Sequence, residues 1–271
     1  MAGTAQRWSD LSARLVSGVV LAVAGVAMIV AAGMWLRVGV SVLCGVMVWE
    51  LARLTAWRHA EFHAPRRPEL LGLIAGVTLF AMLSMPGDWP ALLVVVPVLF
   101  GWRGTHINER APWVFFTIAI LSAGYAVVVI REVMGLPTAA WVAGTVVLTD
   151  VLGYFAGRTF GGPKFWPSLS PKKTWSGTVA GWVGAFVLAL VVVLIGWGDL
   201  RLLILGPLLS FAGQMGDIIE SALKRRVGVK DSSAILPGHG GLMDRFDAMC
   251  AAFLLLMMLG IVMDLPVVGA L

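Results

Sequence analysis

Stretches of about 20 predominantly apolar residues recur along the whole chain, and each is long enough to cross a hydrocarbon core of about 30 Å as a helix. This repetition constrains the fold more than any motif does, because a surface built from such segments cannot be presented to water. Composition agrees. Of 271 residues, 59% are hydrophobic and 13% charged, with a mean hydropathy of +0.90, whereas soluble domains carry roughly 25% charged residues. The expected fold is therefore all-α, a single polytopic transmembrane domain. Cys44 and Cys250 fall inside apolar runs with no CxxC partner or histidine pattern, so they read as packing residues, not as a disulfide framework or zinc site.

Breaks at charged or Gly/Pro-rich residues delimit about nine spans, near 15–36, 38–53, 70–86, 90–102, 112–130, 138–156, 177–197, 201–223 and 248–265. The second and fourth are short for a full crossing. With the N-terminus cytoplasmic, only Arg37, Arg131 and Arg201 of the 20 Lys and Arg lie outside, and cytoplasmic loops are where an excess of these cations belongs. One helix more or fewer would swap the side of every later loop, so the bias supports count and orientation together. The expected inside segments 54–69, 157–176 and 224–247 are long, charged and rich in Gly and Pro, whereas outside connections such as 86–90 and 196–201 are brief. Chemistry is accordingly expected on the inner side. No inverted repeat of the transporter kind is visible.

The densest polar cluster begins in the eighth span, where Gln214, Asp217, Ser221 and Lys224 fall on one helical stripe with Glu220 on its shoulder. Carboxylates in a membrane helix cost several kcal/mol unless they face a wet cavity, a cation or a partner; the alternative is an i,i+4 salt bridge of Glu220 with Lys224. The segment that follows, 224–247, mixes cations, glycines and paired acids, as phosphate binding requires: Lys and Arg to balance charge, Gly to let backbone N–H groups approach, and carboxylates to hold a divalent cation. Asp244 and Asp247 would share a face if they open the ninth helix, as ligands or as an N-terminal cap. Lys172, Lys173 and Thr174 stand at the start of the seventh span, where free helix N–H groups favour phosphate; positive-inside anchoring is the other reading. Asp150, one turn from Tyr154, reads as an intramembrane ligand or as a partner for Arg158. Glu50 reads as an ion pair with Arg53. His59, His63 and His106 lack metal-ligand spacing, the 12 Trp read as interface anchors, and a net charge of +5 suits an anionic leaflet, with nothing pointing to nucleic acid.

The pattern Ser221-x-x-Lys224-Arg225-x4-Lys230-Asp231-x5-Pro237-x-His239-Gly240-Gly241-x-x-Asp244-Arg245-x-Asp247 resembles the signature of the phosphatidate cytidylyltransferases, or CDP-diglyceride synthases. Asp150-x-x-x-Tyr154-Phe-Ala-Gly157-Arg158-x-Phe160-Gly161-Gly162 and Ser170-Pro171-Lys172-Lys173-Thr174-Trp175-Ser176-Gly177 are similar to the family's acidic-helix motif and its SPxKTxEG motif. Ser176 departs from the pattern, since the family usually has Glu there. The resemblance covers residues 145–265 well, while the first 140 match as generic spans. It implies N-terminal transmembrane helices over 1–140 and a C-terminal catalytic region over 141–271.

The resemblance further implies that the phosphate of phosphatidate attacks the α-phosphorus of CTP, giving CDP-diacylglycerol and pyrophosphate with Mg²⁺ and, by analogy, a second cation. Asp217, Asp244 and Asp247 are the expected metal ligands. Lys172, Lys173, Lys224, Arg225 and Arg245 are the expected phosphate clamp, with Ser221 and His239 as close polar contacts. Thr174, Gly240, Gly241, Lys230, Asp150 and Tyr154 complete the expected substrate-binding set. The partners implied are CTP, phosphatidate and membrane lipids, with a homodimer among the assemblies to test, at the cytoplasmic face of the cell's inner membrane. Two rivals stand beside this reading: another CTP-dependent lipid kinase or transferase, and an ion-coupled transporter using Asp150, Asp217 and Glu220.

Overall fold

A computed structural model describes residues 18–20, 22–57, 68–87, 89–102, 105, 107–236 and 240–269. Among them run α1 (Gly18–Ala31), α2 (Gly33–Trp57), α3 (Pro68–Ser84), α4 (Val95–Trp102), α5 (Arg110–Val133), α6 (Gly135–Phe160), α7 (Trp175–Leu194), α8 (Leu202–Val227) and α9 (Met243–Val262). Each helix coincides with one of the expected apolar segments. Six of them, α2 and α5 to α9, are long and apolar enough to cross a membrane. On α7, Val179, Val183, Phe186, Val187 and Val191 are all exposed, a run of large apolar side chains that suits lipid and not water. The chain is an all-α polytopic membrane protein.

Several boundaries differ from the sequence reading, for physical reasons. The first break falls at Ala32 and Gly33, whose φ values are 55° and 54°, and not at Arg37. Left-handed backbone cannot continue a right-handed helix, whereas a long cationic side chain can reach outward and leave helical hydrogen bonds intact. As a result α2 has 25 residues and is no short span. Helix α9 opens at Met243, ahead of its apolar run, so Asp244 and Asp247 lie in its first turns. The segment after α6 holds an antiparallel hairpin, β1 (Lys164–Trp166) and β2 (Ser170–Thr174), with Lys164 opposite Thr174 and Trp166 opposite Ser170. Phe165 and Trp175 meet edge to face at 4.7 Å beside it.

The described residues form two compact units, one within Met1–Leu121 and Arg226–Arg245, the other within Ser122–Arg225 and Phe246–Leu271. In the first, α2 and α3 cross through glycine: a Cβ on Gly45 would come within 2.8 Å of the Gly72 carbonyl oxygen, and one on Gly72 within 2.7 Å of that of Gly45. Such small-residue crossings let backbones touch where no hydrophobic effect drives helices together. Leu36, Met47, Leu51, Leu79 and Trp113 are fully buried, and the Trp113 Nε1–H donates to the Val98 carbonyl at 3.1 Å. Glu109, fully buried, accepts the Arg226 Nε–H on both oxygens at 3.2 and 3.3 Å, and the same guanidinium donates to the Asn108 carbonyl. Glu50 does not pair with Arg53; its carboxylate takes the backbone N–H groups of Leu242 and Met243 at the start of α9, while Arg53 lies over the Trp49 ring at 4.9 Å.

In the second unit, α6 and α7 meet at Gly153 and Gly177. A Cβ on Gly177 would stand 2.5 Å from the Gly153 carbonyl oxygen. Thr149 Oγ1–H donates to Ser210 Oγ at 2.8 Å, a hydroxyl pair linking α6 to α8. Gln214 on α8 accepts the Trp182 indole N–H at 2.9 Å and donates to the Thr178 carbonyl at 3.2 Å, so α7 is tied to α8 by a buried amide. His239, the cytoplasmic candidates Arg7, Arg14, Arg58, Arg66, Arg67 and Arg103, and His59, His63 and His106 lie outside the described residues.

Candidate active site

Helices α8 and α9 approach backbone to backbone: a Cβ on Gly216 would stand 2.6 Å from the Asp247 carbonyl oxygen, and one on Gly213 would stand 3.3 Å from that of Ala248. Because Asp217 follows Gly216 directly, this approach sets its carboxylate beside that of Asp247. Glu220, one turn on, completes the group, and one oxygen from each of the three acids lies within 4.8 Å of the others. Two lysines answer them. Lys173 Nζ sits 2.5 Å from Asp217 Oδ2 and donates to the Gln214 carbonyl at 3.2 Å. Lys224 pairs with Glu220 across one turn of α8. The Ser221 hydroxyl donates to Asp217 Oδ1 at 3.4 Å, and Asp247 Oδ1 accepts the Ala248 N–H at 2.7 Å.

Three carboxylates against two ammonium groups leave these five side chains one positive charge short of neutral. In a helix bundle such an imbalance is expensive. Converging carboxylate oxygens are also the hard donor set that Mg²⁺ prefers, so the residues present fit a divalent cation.

A cleft of about 450 Å³ opens in the same unit, lined by Asp150, Tyr154 and Arg158 of α6, by Lys172, Lys173 and Thr174 of β2, and by Gln214. Its floor is the glycine crossing of α6 and α7, where Gly153, Gly157 and Gly177 remove side-chain bulk. Thr174 caps α7, its Oγ1 accepting the Gly177 N–H at 3.2 Å. The Arg158 guanidinium donates to the Tyr154 hydroxyl at 2.9 Å. Ser176, where the resembled family carries Glu, spends its hydroxyl on the Gly161 carbonyl at 2.5 Å and on Thr174 at 3.0 Å, joining the end of α6 to the start of α7. The cleft thus combines cations, hydroxyls and one end of the acidic cluster through Lys173, which touches both.

In the first unit the carboxylate of Asp244 is engaged with its own neighbourhood. Its Oδ2 accepts the Ser232 N–H and hydroxyl, each at 2.9 Å, and the Gly241 N–H at 2.7 Å. Lys230 and Arg245 are exposed on either side of this segment.

Residues 12–263 match the cytidylyltransferase family. The chain belongs to that family. A phosphatidate cytidylyltransferase of Brucella abortus (strain 2308) is 43% identical over 140 residues, 50% of this chain and 51% of the relative. One of Staphylococcus haemolyticus (strain JCSC1435) is 36% identical over 214 residues, 66% and 82% of the two chains, and one of Bacillus subtilis (strain 168) is 29% identical over 262 residues, 88% and 93%. The match to the Brucella relative spans about half of that protein's length.

In this cytidylyltransferase-family chain, then, the fold brings together Asp217, Ser221, Lys224 and Asp247 of the expected set, with Lys173 reaching them from β2. Asp150, Tyr154, Lys172, Lys173 and Thr174 share the cleft. Arg225 is exposed near the end of α8, and Lys230, Gly240, Gly241, Asp244 and Arg245 belong to the first unit. Glu220 is the acid that the sequence-based ligand set left out. Its signal was its position three residues after Asp217, on the same approach to the loop, but a lysine four residues further on gave it a ready structural explanation.

Proposed function

We propose that the protein is a CTP:phosphatidate cytidylyltransferase, joining the phosphate of phosphatidate to the cytidylyl group of CTP and releasing pyrophosphate. The observation that carries this reading is the convergence of Asp217, Glu220 and Asp247 with Lys173, a residue that also lines a cation-rich cleft. The family and the names of the relatives agree with it.

An ionised oxygen of the lipid phosphate attacks the α-phosphorus of CTP, and the bond from that phosphorus to the oxygen bridging toward the β-phosphate breaks, pyrophosphate leaving with the electron pair. Both reactants are polyanions, so the protein's first task is to offset their repulsion and its second to stabilise charge moving to the leaving group. Lys172 and Lys173 on β2 and Lys224 and Arg225 on α8 are the cations we assign to the phosphates; Lys230 and Arg245 keep the phosphate role that the sequence motif implies. Asp217, Glu220 and Asp247 would hold Mg²⁺, which when bound would neutralise phosphate charge and polarise phosphoryl oxygens; the same carboxylates would serve a second cation. Asp244, the further ligand expected from the sequence, also holds its own segment, where its Oδ2 takes three donors. No protein nucleophile is required, because the attacking phosphate is already ionised, and no second copy of the chain enters the mechanism. The distribution of Lys and Arg favours a site on the cytoplasmic face of the inner membrane, reached by CTP from water and by phosphatidate sideways from the inner leaflet.

Purified protein supplied with labelled CTP, phosphatidate micelles and Mg²⁺ tests the reading. CDP-diacylglycerol plus pyrophosphate is the expected outcome, with near-complete loss in Asp217→Ala and Asp247→Ala. Phosphorylated lipid plus CDP would turn the assignment to a kinase, and no consumption of CTP would abandon it.

A further inference from the structure

One buried carboxylate outside the acidic cluster is committed to the Ser233 hydroxyl and to backbone N–H groups at the start of α9. Glu50, near the end of α2, is 0% exposed. Its Oε1 accepts the Ser233 hydroxyl at 2.5 Å and the Leu242 N–H at 2.9 Å, and its Oε2 accepts the Met243 N–H at 2.7 Å. The last two are among the first N–H groups of α9, which have no partner within the helix, and a negative charge at that end complements the helix dipole. Asp244 holds the same segment through Ser232 and Gly241.

The two glycines between these anchors fit them closely. Gly240 has φ +83°, a conformation that side chains rarely adopt, and a Cβ there would stand 2.8 Å from Asp244 Oδ2. A Cβ on Gly241 would run into the Glu50 carboxylate and the Ser232 hydroxyl. The backbone of Gly240 and Gly241 is therefore approached by the protein's own acids.

We propose that Glu50 is a positioning residue for the transfer reaction: a carboxylate supplied by α2 that holds Ser233 by its hydroxyl and the start of α9 by the Leu242 and Met243 N–H groups, and with them the nearby cations Lys230 and Arg245. The proposal rests on the cytidylyltransferase reading above. The Leu242 and Met243 N–H groups can only donate, one to each oxygen, so both oxygens must accept. A neutral amide of the same size would turn its NH₂ against one of these hydrogens whichever way it faced.

Glu50→Gln and Gly241→Ala therefore perturb the same contact from its two sides, and Glu69→Gln, on α3, serves as a control that leaves it intact. Each purified variant is measured for thermal midpoint, for kcat/KM toward CTP, and for the rate of tryptic cleavage after Lys230 in the folded protein. The expected result for Glu50→Gln and Gly241→Ala is a kcat/KM lowered about 100-fold, the scale of a misplacement of about 1 Å, with cleavage after Lys230 clearly faster and the thermal midpoint little changed; Glu69→Gln should match wild type. Turnover within threefold of wild type, or unchanged cleavage after Lys230, would overturn the proposal. So would loss of the folded state in both variants, which would make Glu50 a stability residue. Wild-type protein that makes no CDP-lipid would refute the cytidylyltransferase reading instead, and cleavage after Lys230 would still judge the hold of Glu50 on the segment.

Discussion

Replacing Glu220 by Gln removes one negative charge, without changing side-chain size, from a group in which three carboxylates face two lysines. Glu220 and Lys224 are only 2% and 10% exposed, so the variant takes the paired carboxylate from a buried ammonium, a change that costs up to about 3–5 kcal/mol in comparable pairs. That loss alone would not distinguish a cation site from a structural ion pair. The double variant Glu220→Gln with Lys224→Met does, because replacing both members of a buried pair by neutral groups of similar volume is often close to neutral for stability. Disturbing even a supporting partner of a metal ligand costs about 10–100-fold in affinity. Loss of a ligand itself should therefore raise the Mg²⁺ concentration for half-maximal turnover by at least about 100-fold. Thermal unfolding followed by the fluorescence of the 12 tryptophans gives the first quantity, and Mg²⁺ titration of CDP-lipid formation gives the second. The single variant should fail in both, and the double variant should recover its melting temperature but not its Mg²⁺ dependence. A double variant with wild-type Mg²⁺ dependence, whatever its turnover without Lys224, would refute the cation site and leave Glu220 as nothing more than the counter-ion of Lys224.

Gly177→Ala should destabilise by about 1–3 kcal/mol through overpacking, since its Cβ would meet the Gly153 carbonyl oxygen at 2.5 Å, whereas Gly144→Ala, with nothing within 4 Å, should leave the melting temperature nearly unchanged. Ser210→Ala removes the acceptor of the buried Thr149 hydroxyl at 2.8 Å, but that hydroxyl also reaches the Thr145 carbonyl at 2.8 Å; a loss of about 1 kcal/mol or less is expected in thermal unfolding. Between α7 and α8, hydrogen bonds from Arg201 lower the pKa of Asp199 from its ordinary 3.8. A lowered folded value means that this contribution to stability is fully present above the unfolded pKa and is lost as pH falls through the folded one. Any difference in melting temperature between wild type and Asp199→Asn should therefore be seen near neutral pH, shrink on acidification below 3.8, and weaken with salt, because the pair is solvent-exposed.

Hydropathy alone located every α-helix among the described residues, because each is built on an apolar run. It could not locate the ends. Arg37 looked like a break and is not one, since a charge does not interrupt helical hydrogen bonds, while the unremarkable pair Ala32 and Gly33 takes left-handed backbone and does. The Lys164–Thr174 hairpin lacked the alternation that marks strands; the β1–β2 ladder and the edge-to-face contact of Phe165 with Trp175 hold it. Within the site, spacing along α8 put Asp217, Ser221 and Lys224 on one stripe, and the structure keeps them there. Partners from distant segments were invisible for the opposite reason: nothing near Glu50 in the chain announces Leu242 and Met243, and nothing near Asp217 announces Lys173. Glu50 was read with Arg53 and Glu220 with Lys224, the nearest opposite charge in each case. Only the second pairing exists, and it is only part of what surrounds Glu220.

The Gly153–Gly177 crossing has a consequence for how the cleft above it can respond to what enters. Where two main chains touch, there are no rotamers to exchange, so the cleft floor has a fixed depth and cannot be reshaped by repacking. Adaptation is left to the long side chains at the rim, exposed Tyr154 and Lys172 above all. Guests of different bulk would then be discriminated at the entrance, with the deep end serving as an unyielding gauge.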